Sequence, residues 1–226
     1  PSPVLISLGV QLFSIMQNSD YLPPITIFLI ILNVFVHIAP FPYILGFDLS
    51  NIGQNCIQPD KIMSAFLYGR ELLLNRIVLS AIIHVDDVHL YYNMISLLWK
   101  GIHLEKSLGS RPYLKLVAYS LLCAHTLMVL LTFVLDRFAF PAHISGFHSC
   151  AVGFSAVIFS LKYVWNSQSP GTTNIGGIRI NNKYAAWLEL VLISVMTPSA
   201  SFVGHLAGIL AGMIYVKYLR GHELMR

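Results

Sequence analysis

Two short segments carry the residues that could do chemistry. One reads Ser149-Cys150-Ala151-Val152-Gly153-Phe154-Ser155-Ala156, the other Gly204-His205-Leu206-Ala207-Gly208-Ile209-Leu210-Ala211-Gly212. In each, a polar side chain, Ser155 or His205, interrupts an apolar, glycine-marked stretch, where burying it is costly. A hydroxyl and an imidazole are the two parts of a serine nucleophile and its general base. Upstream, His89 and Asn93 stand four residues apart and share one face of a helix. An imidazole N–H and an Asn amide can both donate to the oxyanion of a tetrahedral intermediate. Each residue also has a plainer reading: an intramembrane His as a packing group, a helical Ser as a spacer bonded to its own backbone.

The composition points to a bilayer. Hydrophobic residues are 56% of the 226 and charged residues 11%, where a soluble domain carries roughly 25% charged; mean hydropathy is +0.69. One core of this size cannot hide that much apolar surface, so most of it faces lipid. The net charge of +4 is modest and dispersed, which argues against nucleic acid as a partner. Cys56, Cys123 and Cys150 form an odd set without CxxC spacing and read as packing thiols. The nine histidines include no HExxH, and His84/His89 and His143/His148 are spaced five apart without a supporting ligand set, so neither a metal nor another cofactor is expected. No acidic pair of the aspartyl-protease kind lies in the apolar stretches. The chain opens on Pro1 instead of Met, which fits a piece of a longer protein, and Val4 to Met16 lack the basic leader and cleavage site of a signal peptide.

Six apolar stretches, near 23–40, 88–105, 112–135, 150–166, 184–198 and 202–219, predict an all-α, polytopic membrane protein: a bundle of six transmembrane helices with a long loop between the first two. The fourth and fifth are short for about 30 Å of hydrocarbon. The second carries His89, Asn93, Ser96, Lys100 and His103, a polar face expected to turn inward. The loop, about 41–87, has apolar runs of its own and is expected to lie partly in the membrane surface. Residues 1–22 read as an N-terminal interfacial segment, 220–226 as the start of a cytosolic tail, and 1–226 as a single domain. Orientation follows from the cations. Lys100, Lys106, Arg111, Lys115, Lys162, Arg179, Lys183, Lys217, Arg220 and Arg226 fall on one side, and Lys61, Arg70, Arg76 and Arg137 on the other. The positive-inside rule then puts both termini in the cytosol.

With that topology the second, fourth and sixth helices all start from the non-cytosolic side. Asp87 is placed to cap the second, and His89, Asn93, Ser155 and His205 all lie within roughly 3 to 9 Å of their helix starts. Gly204, Gly208 and Gly212 recur every four residues, a face that admits a close neighbour. The fourth helix offers Ser149, Cys150, Gly153, Ala156 and Ser160, all small. Such a face also serves packing alone. A regular fourth helix that began near Ser155 would leave the serine N–H free as a further oxyanion donor.

At these residues the chain resembles the rhomboid family of intramembrane serine proteases. His89-Leu90-Tyr91-Tyr92-Asn93 resembles the family's HxxxN, and Gly101 through Ser110 its GxxxExxxGS. Gly153-Phe154-Ser155-Ala156 stands where the family has GxSG, and Gly204-His205-Leu206-Ala207-Gly208 resembles its closing histidine helix. The four motifs cover about 70–219. Within the family the likeness is to the endoplasmic-reticulum branch of animals, carried by His84 to Tyr91, Leu98 to Ile102, Ser149 to Ser155 and Ser201 to Ile209.

The resemblance implies a Ser–His dyad without a third acid: Ser155 as nucleophile, His205 as base, His89 and Asn93 as oxyanion donors, no metal and no cofactor. It implies cleavage of transmembrane or juxtamembrane segments of membrane proteins whose helices unwind readily, in reticulum quality control. Glu105 would be structural, Glu189 would turn inward to hydrogen-bond, and the short fifth span, with the loop before the second, would gate the site. Ubiquitin- and ATPase-binding segments known in this branch would lie in a tail beyond the residues given. Ala156 departs from the family's second glycine. A rival reading is a catalytically silent rhomboid-like protein that binds clients for reticulum-associated degradation; such proteins lack the serine or the histidine, and both stand here. A transporter or channel lined by His89, Asn93 and Glu189 is a further rival.

Overall fold

The structure, a computed structural model, describes residues 2–38, 43, 44, 47–49, 51–69, 74–141 and 145–219. Arg70, His143, Arg220, Arg226 and the tail from 220 lie outside the described residues. Each of the six apolar stretches holds a helix, the fourth starting at Ser155 and not at 150. They are α2 (Pro24–Ile38), α6 (Asp87–Leu108), α7 (Ser110–Arg137), α8 (Ser155–Gln168), α9 (Asn182–Met196) and α10 (Phe202–Ile214), which runs on as a π-helical turn, Tyr215–Leu219. α1 (Pro3–Gln17) precedes them. The long connection holds the pair β1 (Tyr43–Ile44) and β2 (Phe47–Asp48), then α3 (Ile52–Asn55), α4 (Pro59–Leu67) and α5 (Leu74–Ile82); an antiparallel hairpin, β3 (Thr172–Ile175) and β4 (Ile178–Asn181), joins α8 to α9. Among the described residues, Ser110–Arg137 and Phe202–Leu219 are long and apolar enough to cross a bilayer by length and composition.

The core lies where α6 meets α7 and α8, around Leu90, Met94, Leu97, Tyr113, Phe154 and Leu161. The GxxxExxxGS segment has a structural reason. At Gly101 a Cβ would stand 2.1 Å from Thr26 Oγ1, so α2 crosses α6 over a residue without a side chain. Four residues on, the fully buried Glu105 takes the N–H groups of Ile25 and Thr26, both at 2.9 Å, with the Thr26 hydroxyl at 2.9 Å and the Ser110 hydroxyl at 2.8 Å. It supplies acceptors to the open first turn of α2 and ties it to the α6–α7 corner. Replacing Glu105 with Ala orphans one buried and one half-buried backbone donor; unfolding in detergent should show a loss of about 3 kcal/mol.

Three expectations need correction. Cys56 and Cys150 are not packing thiols: they form a disulfide, and Cys123 alone is free. The connection folds back under the Ser155 segment, Ile57 and Ala151 exchange backbone hydrogen bonds at 2.9 Å, and the two cysteines meet across that bridge. Lys162, counted above with the cations of one side, is buried within α8 and paired with Glu189. The cap of α6 is Asp86, whose carboxylate takes the His89 N–H at 2.7 Å, while Asp87 binds His37 at 2.7 Å and the Ser2 hydroxyl. Ser2 therefore sits at the end of the bundle where α6 begins. Residues 1–22 hold neither Lys nor Arg, and a count of cations had no power to place them.

Candidate active site

Ser155 and His205 meet. The imidazole Nε2 stands 3.0 Å from Ser155 Oγ. Helix starts and glycines build this contact. α10 is capped by Ser201, whose hydroxyl accepts the Gly204 N–H at 3.1 Å, which fixes His205 in the first turn. α8 starts at Ser155 itself, with Phe154 at its cap position. The two helices approach along Gly208 and Gly212. A Cβ at Gly208 would be 2.2 Å from the Ala156 carbonyl oxygen, and one at Gly212 2.7 Å from that of Ser160. Gly204 faces elsewhere, toward Met128 of α7. The Ala156 methyl, which departs from the family's glycine, is buried against the small side chains of Ala124 and Ala211.

The imidazole is held by packing. The Phe159 ring, one turn beyond Ser155 on α8, stacks on it with centroids 4.6 Å apart and planes 26° from parallel. Nδ1 of His205 is buried without a hydrogen-bond partner among the described residues, so the pair stands without a third group behind it. A backbone-bonded serine would need its hydroxyl turned onto its own helix; here the hydroxyl faces the ring.

His89 reaches the same place. Gly153 has φ of +111°, a region that favours glycine, and a Cβ there would lie 2.6 Å from Cε1 and 2.7 Å from Nε2 of His89. The glycine thus lets the imidazole of α6 lie against the chain two residues before Ser155. The Gly153 N–H is committed to the Ser80 carbonyl at 2.8 Å. That of Ser155, at the first position of its helix, has no partner in the helical ladder. Asn93 is buried beneath His89; its Nδ2 donates to the His89 carbonyl at 2.8 Å, which uses one of its two amide hydrogens. Behind His89, before α6 begins, lies His84, with ring centroids 5.0 Å apart and edge to face. Burial, reinforced by His89 and His37, pushes the His84 imidazole down to about 3, so a neutral ring backs the site at neutral pH.

Phe159 was not singled out from sequence, and His84 was weighed there only as a metal ligand. Phe159 could have been, since it stands four residues past Ser155 on the same helix face. His148, one of the histidines weighed as a ligand, pairs instead with Asp60 at 3.1 Å.

A sequence profile of the Rhomboid domain matches residues 72–222. The chain is 39% identical to rhomboid-like protein 14, mitochondrial, of Arabidopsis thaliana over 203 residues, which is 86% of this chain and 56% of that protein. It is 36% identical to human rhomboid-related protein 4 over 214 residues, 94% of this chain and 62% of that protein. Rhomboid-like protein 15 of Arabidopsis thaliana is 28% identical over 162 residues, 71% of this chain and 39% of that protein. The chain thus spans less than two thirds of the length of these relatives.

Proposed function

This chain belongs to the rhomboid family, and from that premise we propose that it is an intramembrane serine endopeptidase that cuts other membrane proteins in or beside their transmembrane segments. The observation that carries the proposal is the 3.0 Å contact between His205 Nε2 and Ser155 Oγ. In the proposed reaction His205 takes the hydroxyl proton as Ser155 attacks the scissile carbonyl, then returns it to the leaving amine; water frees the acyl group by the same route in reverse. The oxyanion is met by the Ser155 N–H, with His89 and the remaining amide hydrogen of Asn93 as side-chain donors.

We read α2, α6, α7, α8, α9 and α10 as six spans, with α6, α8 and α10 entering from the non-cytosolic side and the Lys217 end in the cytosol. α8 is 14 residues long, about 21 Å, against roughly 30 Å of hydrocarbon. Its first residue therefore lies below the membrane surface, in a mouth that water reaches. A helical peptide bond is shielded by its own hydrogen bonds, so a substrate span must unwind before Ser155 can attack. Spans that are weak helices or fit lipid badly are the favoured substrates.

We place the protein in the endoplasmic-reticulum membrane. The Cys56–Cys150 disulfide lies at the same end as the dyad, and a disulfide there suits an oxidising lumen. Ubiquitin- and ATPase-linked degradation machinery is the proposed partner, through segments beyond the residues given. The test is reconstitution: protein in liposomes with a membrane substrate whose span carries helix-breaking residues. Cleavage within or beside that span is expected. Clean binding of the substrate without cleavage would favour the silent client-binding reading, and ion flux without cleavage the channel.

A further inference from the structure

The Cys56–Cys150 disulfide has two unlike ends. Cys150 is exposed and stands five residues before Ser155, whereas Cys56, at the end of α3, is 0% exposed. A cation lies against the buried sulfur. Arg76 of α5, 8% exposed, donates from Nη1 to the Gly53 carbonyl at 3.1 Å and the Cys56 carbonyl at 2.9 Å, and that nitrogen is 4.0 Å from Cys56 Sγ. Its Nε is buried without a hydrogen-bond partner, and among the described residues no carboxylate forms an ion pair with it. Asp60, whose charge reaches it, is bound to His148 instead. A buried guanidinium is costly without an anion, and the carbonyls beside it carry no net charge. The Cys56 sulfur becomes that anion when the disulfide opens.

We infer that this disulfide is an exchange site for low-molecular-weight thiols, with Cys150 as the sulfur attacked, Cys56 as the leaving group and Arg76 as the charge that receives it. A thiolate RS⁻ bonds to Cys150 Sγ as the disulfide breaks, and the electron pair of that bond leaves on Cys56 Sγ. The proton that RSH carried goes to water. The products are a mixed disulfide of R with Cys150 and a Cys56 thiolate beside the guanidinium. A second RS⁻ then releases RSSR and leaves Cys150 reduced, so two thiols are oxidised as one disulfide is reduced. Attack by Cys56 instead expels RS⁻ and restores the original bond. A neighbouring cation lowers the pKa of a thiol, and a thiol of lower pKa leaves faster.

The exchange reaches the dyad through the backbone. With the disulfide open, residues 149–153 keep the Ile57–Ala151 bonds at 2.9 Å and the Gly153–Ser80 bond at 2.8 Å, but they lose their covalent tie to α3. Gly153 is the residue against which the His89 ring lies, two positions before Ser155. Opening the disulfide should therefore slow Ser155. The exchange stands without the protease reading; this consequence rests on it.

The test uses the protein in liposomes on a Cys123→Ser background, with reduced glutathione as the thiol, N-ethylmaleimide as the trap and mass spectrometry of the peptides. A glutathione adduct on Cys150 and maleimide on Cys56 are expected. In Arg76→Met the adduct should form about ten-fold more slowly, and in Arg76→Lys within about three-fold of the unaltered rate. A guanidinium that only braced the segment would give the opposite sign, since its removal would uncover the sulfurs and speed the exchange. A second reading leaves Arg76 in place: in Cys150→Ala, alkylation of Cys56 should have its midpoint below the ordinary thiol value of about 8.5. Fluorophosphonate labelling of Ser155 should fall about five-fold in the reduced protein and recover when oxidised glutathione re-forms the bond. Free thiols at both cysteines in protein isolated without reductant, a disulfide that glutathione leaves intact, or adducts on Cys56 would overturn the exchange site. So would an Arg76→Met variant that exchanges as fast as the unaltered protein or faster, or an alkylation midpoint above the ordinary value. Equal labelling in the two redox forms would overturn the link to the dyad. If Ser155 takes no probe in either form, the protease reading fails, while the peptide masses still decide the exchange.

Discussion

Ser155→Ala should abolish proteolysis in the reconstituted assay, by about four orders of magnitude or more, while the protein stays folded. The size of the loss follows from the proposed role of the hydroxyl as the nucleophile that meets His205 Nε2 at the start of α8. His205→Ala should cost nearly as much, because in the proposed reaction Nε2, 3.0 Å from Oγ, accepts its proton. The two residues act as a unit, so the double variant should be no slower than either single one. Stability should change little in Ser155→Ala. A single hydrogen bond is removed, and the imidazole left behind is still stacked on Phe159; a loss of about 1–2 kcal/mol is expected for its unpaired Nε2. Thermal unfolding beside the cleavage assay separates the chemical effect from a folding defect.

The second large effect lies at a residue that touches no substrate. Gly208→Val puts carbon 2.2 Å from the backbone oxygen of Ala156, and backbone cannot step aside as a flexible side chain would. The helices must part, and they part where Ser155 and His205 join. Misplacement of the reacting pair by about 1 Å is enough for a loss of about a hundred-fold, with about 1–3 kcal/mol of overpacking besides. Gly204→Ala is the control on the same helix. Its new methyl would meet Ser201 Oγ at 3.0 Å and the Met128 sulfur at 3.3 Å. Methionine is an adaptable neighbour, and the contact does not lie between α8 and α10. Cleavage rates for the two variants should differ by more than ten-fold, with Gly208→Val the slower.

The contrast between these glycines shows how far sequence reached. A repeat of four announced a close helix approach, and the approach is there, yet the repeat could not say that Gly208 and Gly212 face α8 while Gly204 faces α7. The count of residues from helix starts placed His205 in the first turn of its helix, where it lies, but it took the fourth helix to begin near Cys150, whereas that helix begins at Ser155 itself. The motif around Glu105 announced a structural role; its four acceptor contacts needed the crossing of α2. What stayed hidden depends on contacts between distant segments. Cys56 and Cys150 are 94 residues apart, and only the docking of the long connection under Ala151 brings them together. Lys162 was counted with the cations of one side although it lies inside the 150–166 stretch, and its partner Glu189 was read as an inward-turned polar residue without that partner. Asp86 and Asp87 are adjacent and chemically alike; the choice of cap was made by His37, which takes the second. For Asn93, sharing a face with His89 was readable, but its hydrogen bond to the His89 carbonyl depends on a rotamer.

The most direct measurement is labelling of Ser155 by a fluorophosphonate in liposomes, followed by mass spectrometry of the modified peptide. The expected result is a single adduct on Ser155 in the unaltered protein, with the rate reduced at least a hundred-fold in His205→Ala although that variant keeps the Cys56–Cys150 disulfide and melts normally. An unlabelled Ser155 in folded protein, or labelling at the same rate without His205, would contradict activation of the α8 hydroxyl by the α10 imidazole.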